Sequence, residues 1–207
     1  YLKGLGVKTR VFSLGDYRRR VLGRPEDLPA DYFKPGDKSP ETEALRQKIL
    51  DGFDETVMQF FKEEGGQVVI YDANHSQQDR RYALRERFGK LDSKIGIMFL
   101  ETICDDPAII EANVRSVKIS SPDYVGWDPE KAVADFYKRI KNHEDEYETI
   151  ENPSFPYVKI INVGQRIVVN NIQGYLQSRV VFFLMNIHNR SRTIYFARVS
   201  SISPLHM

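Results

Sequence analysis

The stretch "EEGGQVVIYDANHSQQDRR", residues 63–81, sets a glycine pair, a short apolar run, a lone acid and an arginine pair in close succession. Val68, Val69, Ile70 and Tyr71 read as a strand of β-branched and aromatic side chains bounded by Gly65 and Gly66. The run is continuous rather than alternating, which predicts burial on both faces and hence a parallel sheet. Asp72 stands at its carboxyl end. Such a charge either caps the following helix or faces a ligand, and the rest of the chain has to decide between them.

Working outward, the same pattern recurs. Before the strand, Ser39 reads as an N-cap with Pro40 at the first helical position. Leu45, Ile49, Phe53, Val57, Phe60 and Phe61 then give that helix one apolar face, and the glycine pair ends it. Further upstream, "TRVFSL" (9–14) reads as a strand that stops at a turn at Gly15, and the Pro- and Gly-rich residues 23–40 as a loop. After the strand, a helix is expected to begin near Ser76 with Asp79 as capping-box partner. Then come a strand over 95–100, a helix over 106–116 capped by Asp106 before Pro107, and another helix from Asp128 and Pro129. A strand over 157–163, an extended "RIVVNNI" (166–172), a helix over 173–186 and a last strand "RTIYFA" complete the chain. Apolar strands alternating with helices predict an α/β fold, a mostly parallel sheet with helices on both faces. In such folds ligands bind beyond the carboxyl ends of the strands, which directs attention to residues 16–20, 72–81 and 101–106.

The composition narrows the classes. With 207 residues, 41% of them hydrophobic, the chain can bury one sizeable core. A formal net charge of +1 excludes the bulk basic field by which nucleic acid is captured. The single cysteine, Cys104, excludes an internal disulfide and fits a reducing, cytoplasmic compartment. His75, His143, His188 and His206 show no metal-ligand spacing. There is neither an apolar run of the ~20 residues that span a bilayer nor a signal peptide at "YLKGLGVKTR". The opening on Tyr1 rather than Met suggests a fragment or processed product.

Four constellations could carry chemistry. Asp72 ending a buried strand has the Walker B arrangement, whose carboxylate holds Mg²⁺ beside nucleotide phosphates, although an ordinary helix cap is an equally good reading. "DYRRR" (16–20) offers arginines that can fork onto phosphate oxygens, against the commoner reading of a solvated surface run. Lys118 in "NVRSVKISSPDY" (113–124) could reach a transferring phosphoryl group, but a lysine complementing a helix dipole accounts for it more simply. Cys104 in "ETICDDP" is, by residue type, more often a small buried hydrophobe than a nucleophile.

Taken together, "VFSLGDYRRR", "EEGGQVVIYDAN", the pair Arg80–Arg81, "ETICDDP", "NVRSVKISSPDY", "DFYKRI" and "QSRVVFFLMNIH" resemble the kinase half of the bifunctional 6-phosphofructo-2-kinase/fructose-2,6-bisphosphatase family, in family order across residues 1 to about 198. The resemblance implies a P-loop NTPase-like fold. It also implies transfer of the γ-phosphoryl group of ATP, with Mg²⁺, to the 2-hydroxyl of fructose 6-phosphate. By position, Arg18, Arg46, Asn74, Arg80, Lys118, Arg139 and His143 would contact the sugar phosphate. Asp72 would be the Walker B acid and Mg²⁺ ligand, directly or through water, and Cys104 would line the active site. Asn113, Val114, Arg115, Ser116, Val117 and Lys118 would lie along the nucleotide. Asp72, Cys104 and Lys118 form the implied catalytic set.

The sequence departs from the family pattern at four places. The glycine-rich G-x-x-x-x-G-K-[ST] loop would precede "YLKGLG", so that loop and the first strand are expected to be missing from this chain. Asn74 stands where the family has a threonine, and His143 where it has a sugar-contacting tyrosine. Val199 occupies the place of the histidine in the Arg-His-Gly motif that opens the phosphatase half, so no phosphatase activity is expected. The expected organisation is a truncated kinase-like domain over 1–187, followed by a linker and strand remnant over 188–207. The isolated chain would be weakly active or inactive, and the intact parent a homodimer. The alternative is a non-catalytic sugar-phosphate-binding regulator of the same family.

Overall fold

The computed structural model describes residues 1–187 except 25, 26, 35, 119–123 and 145, with Val117 and Lys118 described by their backbone alone. After a 3-10 turn (Leu2–Leu5), the chain forms β1 (Thr9–Ser13), α1 (Leu14–Leu22), α2 (Pro40–Lys62), β2 (Val68–Asp72), α3 (Gln78–Leu91) and β3 (Phe99–Ile103). These are followed by α4 (Pro107–Asn113), α5 (Pro129–Glu144), β4 (Tyr157–Ile161), β5 (Arg166–Asn170) and α6 (Gly174–Ile187). The expected last strand and the 188–207 linker lie outside the described residues.

The α/β reading holds. β1 and β2 pair in parallel, with Ser13 opposite Asp72, and β3 and β4 pair in parallel. Instead of one sheet, the described strands make two: β1–β2 and β3–β4–β5, with β5 antiparallel to β4.

The opening stretch explains its own glycines. Gly65 takes φ +67, a left-handed value, and a Cβ at Gly66 would stand 2.2 Å from the Phe60 ring. The Gly66 N–H closes the end of α2 on the Phe60 carbonyl at 2.9 Å. β2 begins at Val68 as expected and runs one residue further, to include Asp72. β3 is displaced further, to 99–103, so Glu101 lies inside the strand and Cys104 directly follows it. The expected turn at Gly15 is helix: the Ser13 side chain accepts from the Asp16 N–H and starts α1 at once, which puts "DYRRR" on a helix. The Ser39, Asp106 and Asp128 caps form as expected, with side-chain oxygens accepting from Thr42, Ala108 and Lys131 N–H groups. The Ser76/Asp79 capping box does not form; α3 starts at Gln78 behind Gln77, which makes no side-chain cap.

The main core lies between the β1–β2 sheet and helices α2 and α3: Phe12, Phe53, Val57, Met58, Phe60 and Phe88, all buried. Leu84 of α3 and Ile97 pack against both this cluster and a second one of Phe99, Ile150, Phe155 and Tyr157. Leu184 of α6 covers Val158 and Ile160. Beneath the end of β2, the Tyr71 hydroxyl donates to the buried Asp54 carboxylate of α2 at 2.9 Å. Arg87 of α3 pairs with Asp54 at 2.6 Å and with Asp51 at 2.7 Å. Burial pushes the Asp54 carboxyl up, with Tyr71 and Arg87 pulling it back.

Phe53, 1% exposed, meets the rings of Tyr71 at 4.8 Å, Tyr17 at 5.5 Å and Phe12 at 6.4 Å. Phe53→Ala is expected to destabilise the chain by roughly 3–5 kcal/mol, read as a lowered urea midpoint with an unchanged slope.

Candidate active site

The carboxyl ends of β1 and β2 lie side by side, and two groups of side chains gather near them. Asp72 is exposed at the tip of β2, and among the described residues its carboxylate enters no ion pair. Asn74 follows it, also exposed, and Arg80 is exposed on the first turn of α3.

The other group joins α1, α2 and the loop between them. Arg18 of α1 is only 7% exposed, and its guanidinium lies 4.8 Å over the Phe33 ring. Arg46 of α2 lies 6.0 Å from the Tyr32 ring centre and 3.6 Å from Glu43. Tyr32 and Phe33 meet edge to face at 4.9 Å. Burial pushes the Tyr32 hydroxyl up, and the positive charges of Arg18 and Arg46 oppose that shift. Guanidiniums from two helices thus flank one aromatic pair, Arg18 over Phe33 and Arg46 near Tyr32.

Asp31 holds this loop in place. Its carboxylate accepts from the Thr42 hydroxyl at 2.6 Å and from the Ser39 N–H at 2.8 Å. Those bonds, Thr42 first, hold its pKa down at about 2. Asp31, Tyr32 and Phe33 were not singled out from the sequence. An acid and two aromatics inside a Pro/Gly-rich loop were the available signal, because a loop with nothing to bury has no use for such side chains.

The remaining expected residues are spread over the carboxyl ends and the helices beyond them. Cys104 is exposed immediately after β3, its Sγ 3.9 Å from the Asp106 carbonyl. Its neighbour Asp105 is pinned by Asn162: the Asp105 N–H donates to Oδ1 at 3.0 Å, and Nδ2 donates to the Asp105 carboxylate at 2.6 Å. Asn162 and Val163 take φ +47 and +56, and for β-branched Val163 this is strained backbone.

Residues 114–118 form a π-helical turn after α4, a form often found at functional sites. Within the expected nucleotide stretch, Asn113 is exposed, whereas Val114 is 1% exposed and belongs to the core. Arg115 pairs with Glu111 at 3.2 Å and Glu130 at 3.0 Å, and Ser116 donates to the Ala112 carbonyl at 2.6 Å. The side chains of Val117 and Lys118 lie outside what is described. On α5, Arg139 donates to Asp135 at 2.8 Å and stacks over Tyr124 at 5.0 Å; His143 is exposed one turn further on.

Between Asn74 and Arg80, His75 packs against the Tyr71 ring at 5.4 Å, with its Nε2 buried and without a hydrogen-bond partner among the described residues. Burial first, then the charges of Arg81 and Arg80, lower its pKa to about 4.

An exposed acid thus ends a parallel strand of an α/β fold, and arginines gather beyond the neighbouring strand end. A family model described as 6-phosphofructo-2-kinase matches residues 1–191. Three relatives agree with it: 6-phosphofructo-2-kinase/fructose-2,6-bisphosphatase of Gallus gallus at 40% identity, form 4 of Rattus norvegicus at 38%, and form 3 of Homo sapiens at 35%. Each match covers 96% of this chain, but only 42%, 42% and 38% of the respective relative. The chain belongs to the 6-phosphofructo-2-kinase family.

The His75 arrangement has a pH consequence. Its folded pKa lies below the ordinary 6.5, so the fold favours the neutral ring. Its contribution to stability is complete above about 6.5 and is lost as pH falls through about 4. In thermal melts across that window, His75→Phe should flatten the acid-side fall in Tm relative to the unaltered chain.

Proposed function

We propose that this chain supplies the sugar-phosphate side and the Walker B side of a 6-phosphofructo-2-kinase. In this reading the γ-phosphoryl group of ATP is transferred to the 2-hydroxyl of fructose 6-phosphate, giving fructose 2,6-bisphosphate. The observation that carries it is the convergence of Arg18 and Arg46 on the Tyr32–Phe33 pair. A dianionic phosphate beside these two guanidiniums would gain charge-assisted hydrogen bonds from both.

Asn74 on the β2–α3 connection and Arg80 on the first turn of α3 would meet the sugar from the Asp72 side, with Arg139, His143 and Lys118 closing it from α5 and the π-helical turn. Asp72 fits Mg²⁺, an ion commonly held by one or two carboxylates with phosphate oxygens and water. When bound, that ion neutralises charge on the phosphates. Among the described residues no group of three or more His, Cys, Asp or Glu could hold a metal ion. The chain's own part is therefore to orient the sugar, to supply positive charge, and to present one free carboxylate. Asn113 to Lys118 would border the nucleotide, and Cys104 the space between it and the sugar.

The split sheet supports a place for one more strand. α2 and α3 pack on the same face of β1–β2. Right-handed crossovers on one face advance in one direction, which sets β3 beyond the free edge of β2. On the opposite face Val11, Ile70 and Leu100 are 60%, 49% and 50% exposed. A strand between β2 and β3, leading into a glycine-rich phosphate loop and a helix over these apolar residues, would complete the sheet and the nucleotide site. Residues 1–187 would then be the larger part of a kinase domain, and 188–207 a connection onward. No helix among the described residues is long and apolar enough to cross a membrane. The same reading carries a cytoplasmic location, no nucleic-acid partner, and a homodimer of the intact parent.

The test is fructose-6-phosphate-dependent ATP consumption by a parent polypeptide that includes a glycine-rich loop. Asp72→Ala should lower kcat about a hundredfold or more. Arg46→Ala should raise the KM for fructose 6-phosphate on the order of 10- to 100-fold, as loss of one charge-assisted bond implies. Undiminished turnover by Asp72→Ala would remove that residue from the mechanism. Sugar-phosphate binding without any turnover would favour the non-catalytic regulator.

A further inference from the structure

The N-terminus of α3 carries Arg80, follows the Asn74 loop, and has no cap of its own: Gln77 makes no side-chain cap bond. Its partner comes from far along the chain. The Glu148 carboxylate accepts from the Gln78 N–H at 2.6 Å, across a separation of 70 residues. The main chain of the same residue holds the neighbouring positions. Its N–H donates to the Ser76 carbonyl at 2.8 Å, and its carbonyl accepts from Arg81 Nη2 at 2.7 Å. Arg81 is 2% exposed and also donates to the His75 carbonyl at 2.6 Å, so both ends of the 75–81 segment are gripped from one point.

That point is itself anchored. Tyr147 donates to the buried Glu101 carboxylate of β3, which also accepts from the Ile150 N–H at 3.3 Å and lies 3.5 Å from Lys159 Nζ of β4. Segment 147–150 is thus fastened to the second sheet and reaches across to the β2–α3 connection, which follows the first. The segment leaves α5, the helix that bears Arg139 and His143.

We propose that Glu148 is a positioning residue. By capping α3 from outside, it fixes the β2–α3 connection that carries Asn74 and the first turn of α3 that carries Arg80. Its carboxylate complements the helix N-terminus while its backbone fixes Ser76 and Arg81. This rests on the reading of Asn74 and Arg80 as sugar-phosphate groups, whereas the capping role does not.

Two measurements on the chain separate these layers. In hydrogen exchange, Glu148→Ala should speed exchange of the Gln78 amide and its neighbours over 76–81 by about three- to tenfold. The core helix α2 should be unchanged, and Glu148→Gln, which retains an acceptor oxygen, should restore most of the protection. In calorimetry, Glu148→Ala should weaken fructose 6-phosphate binding about three- to tenfold, again with rescue by Gln. Unaltered exchange over 76–81, acceleration spread over the whole chain, or weakening that Gln does not rescue would each overturn the proposal. Altered local exchange in a chain whose unsubstituted form binds no fructose 6-phosphate would confirm the cap and refute the sugar-phosphate reading.

Discussion

The end of β2, from which the candidate site is built, depends on one buried carboxylate. Asp54, deep in α2, receives the Tyr71 hydroxyl from β2 and the Arg87 guanidinium from α3. A buried acid is costly unless paired and hydrogen-bonded, so a one-residue slip of β2 would leave this one without its tyrosine. The register is therefore set from beneath: Tyr71 points into the core and Asp72, the next residue, emerges at the strand's end. The aromatic packing of Phe53 on Tyr71, Tyr17 and Phe12 builds on that register.

The candidate site gathers cations on aromatic faces. Arg18 sits on Phe33 and Arg46 near Tyr32, so each cation rests on an aromatic face instead of being dispersed into solvent. Asp31 makes this possible by fastening the loop to the start of α2 through Ser39 and Thr42. A cap that begins a helix thereby also positions an aromatic platform. The same economy appears at α3, whose start is held by Glu148 and Arg81 instead of by its own first residues.

Local chemistry was legible where partners are near in sequence. Ser39, Asp106 and Asp128 cap helices because their side chains reach N–H groups two or three residues ahead. The apolar spacing of α2 showed its buried face for the same reason. The Ser76/Asp79 box does not form; Glu148, 70 residues away, takes the first N–H of α3 instead, and no local pattern records this. β3 was misplaced because "IGIMFL" is the more apolar run, while the strand's buried Glu101 is acceptable only with Tyr147 and Lys159 beside it.

By itself, then, the sequence determined the alternation of strands and helices, the acid at the end of β2, and family membership through the ordered set of motifs. Those properties live in short stretches, where composition and spacing act directly on the backbone. Only the tertiary structure decided that Arg18 and Arg46 flank the Tyr32–Phe33 pair, that Arg81 is a buried clamp while Arg80 is exposed, and that β1–β2 and β3–β4–β5 stand as separate sheets. Those outcomes arise from contacts between segments distant along the chain, where burial and charge pairing outweigh local preference.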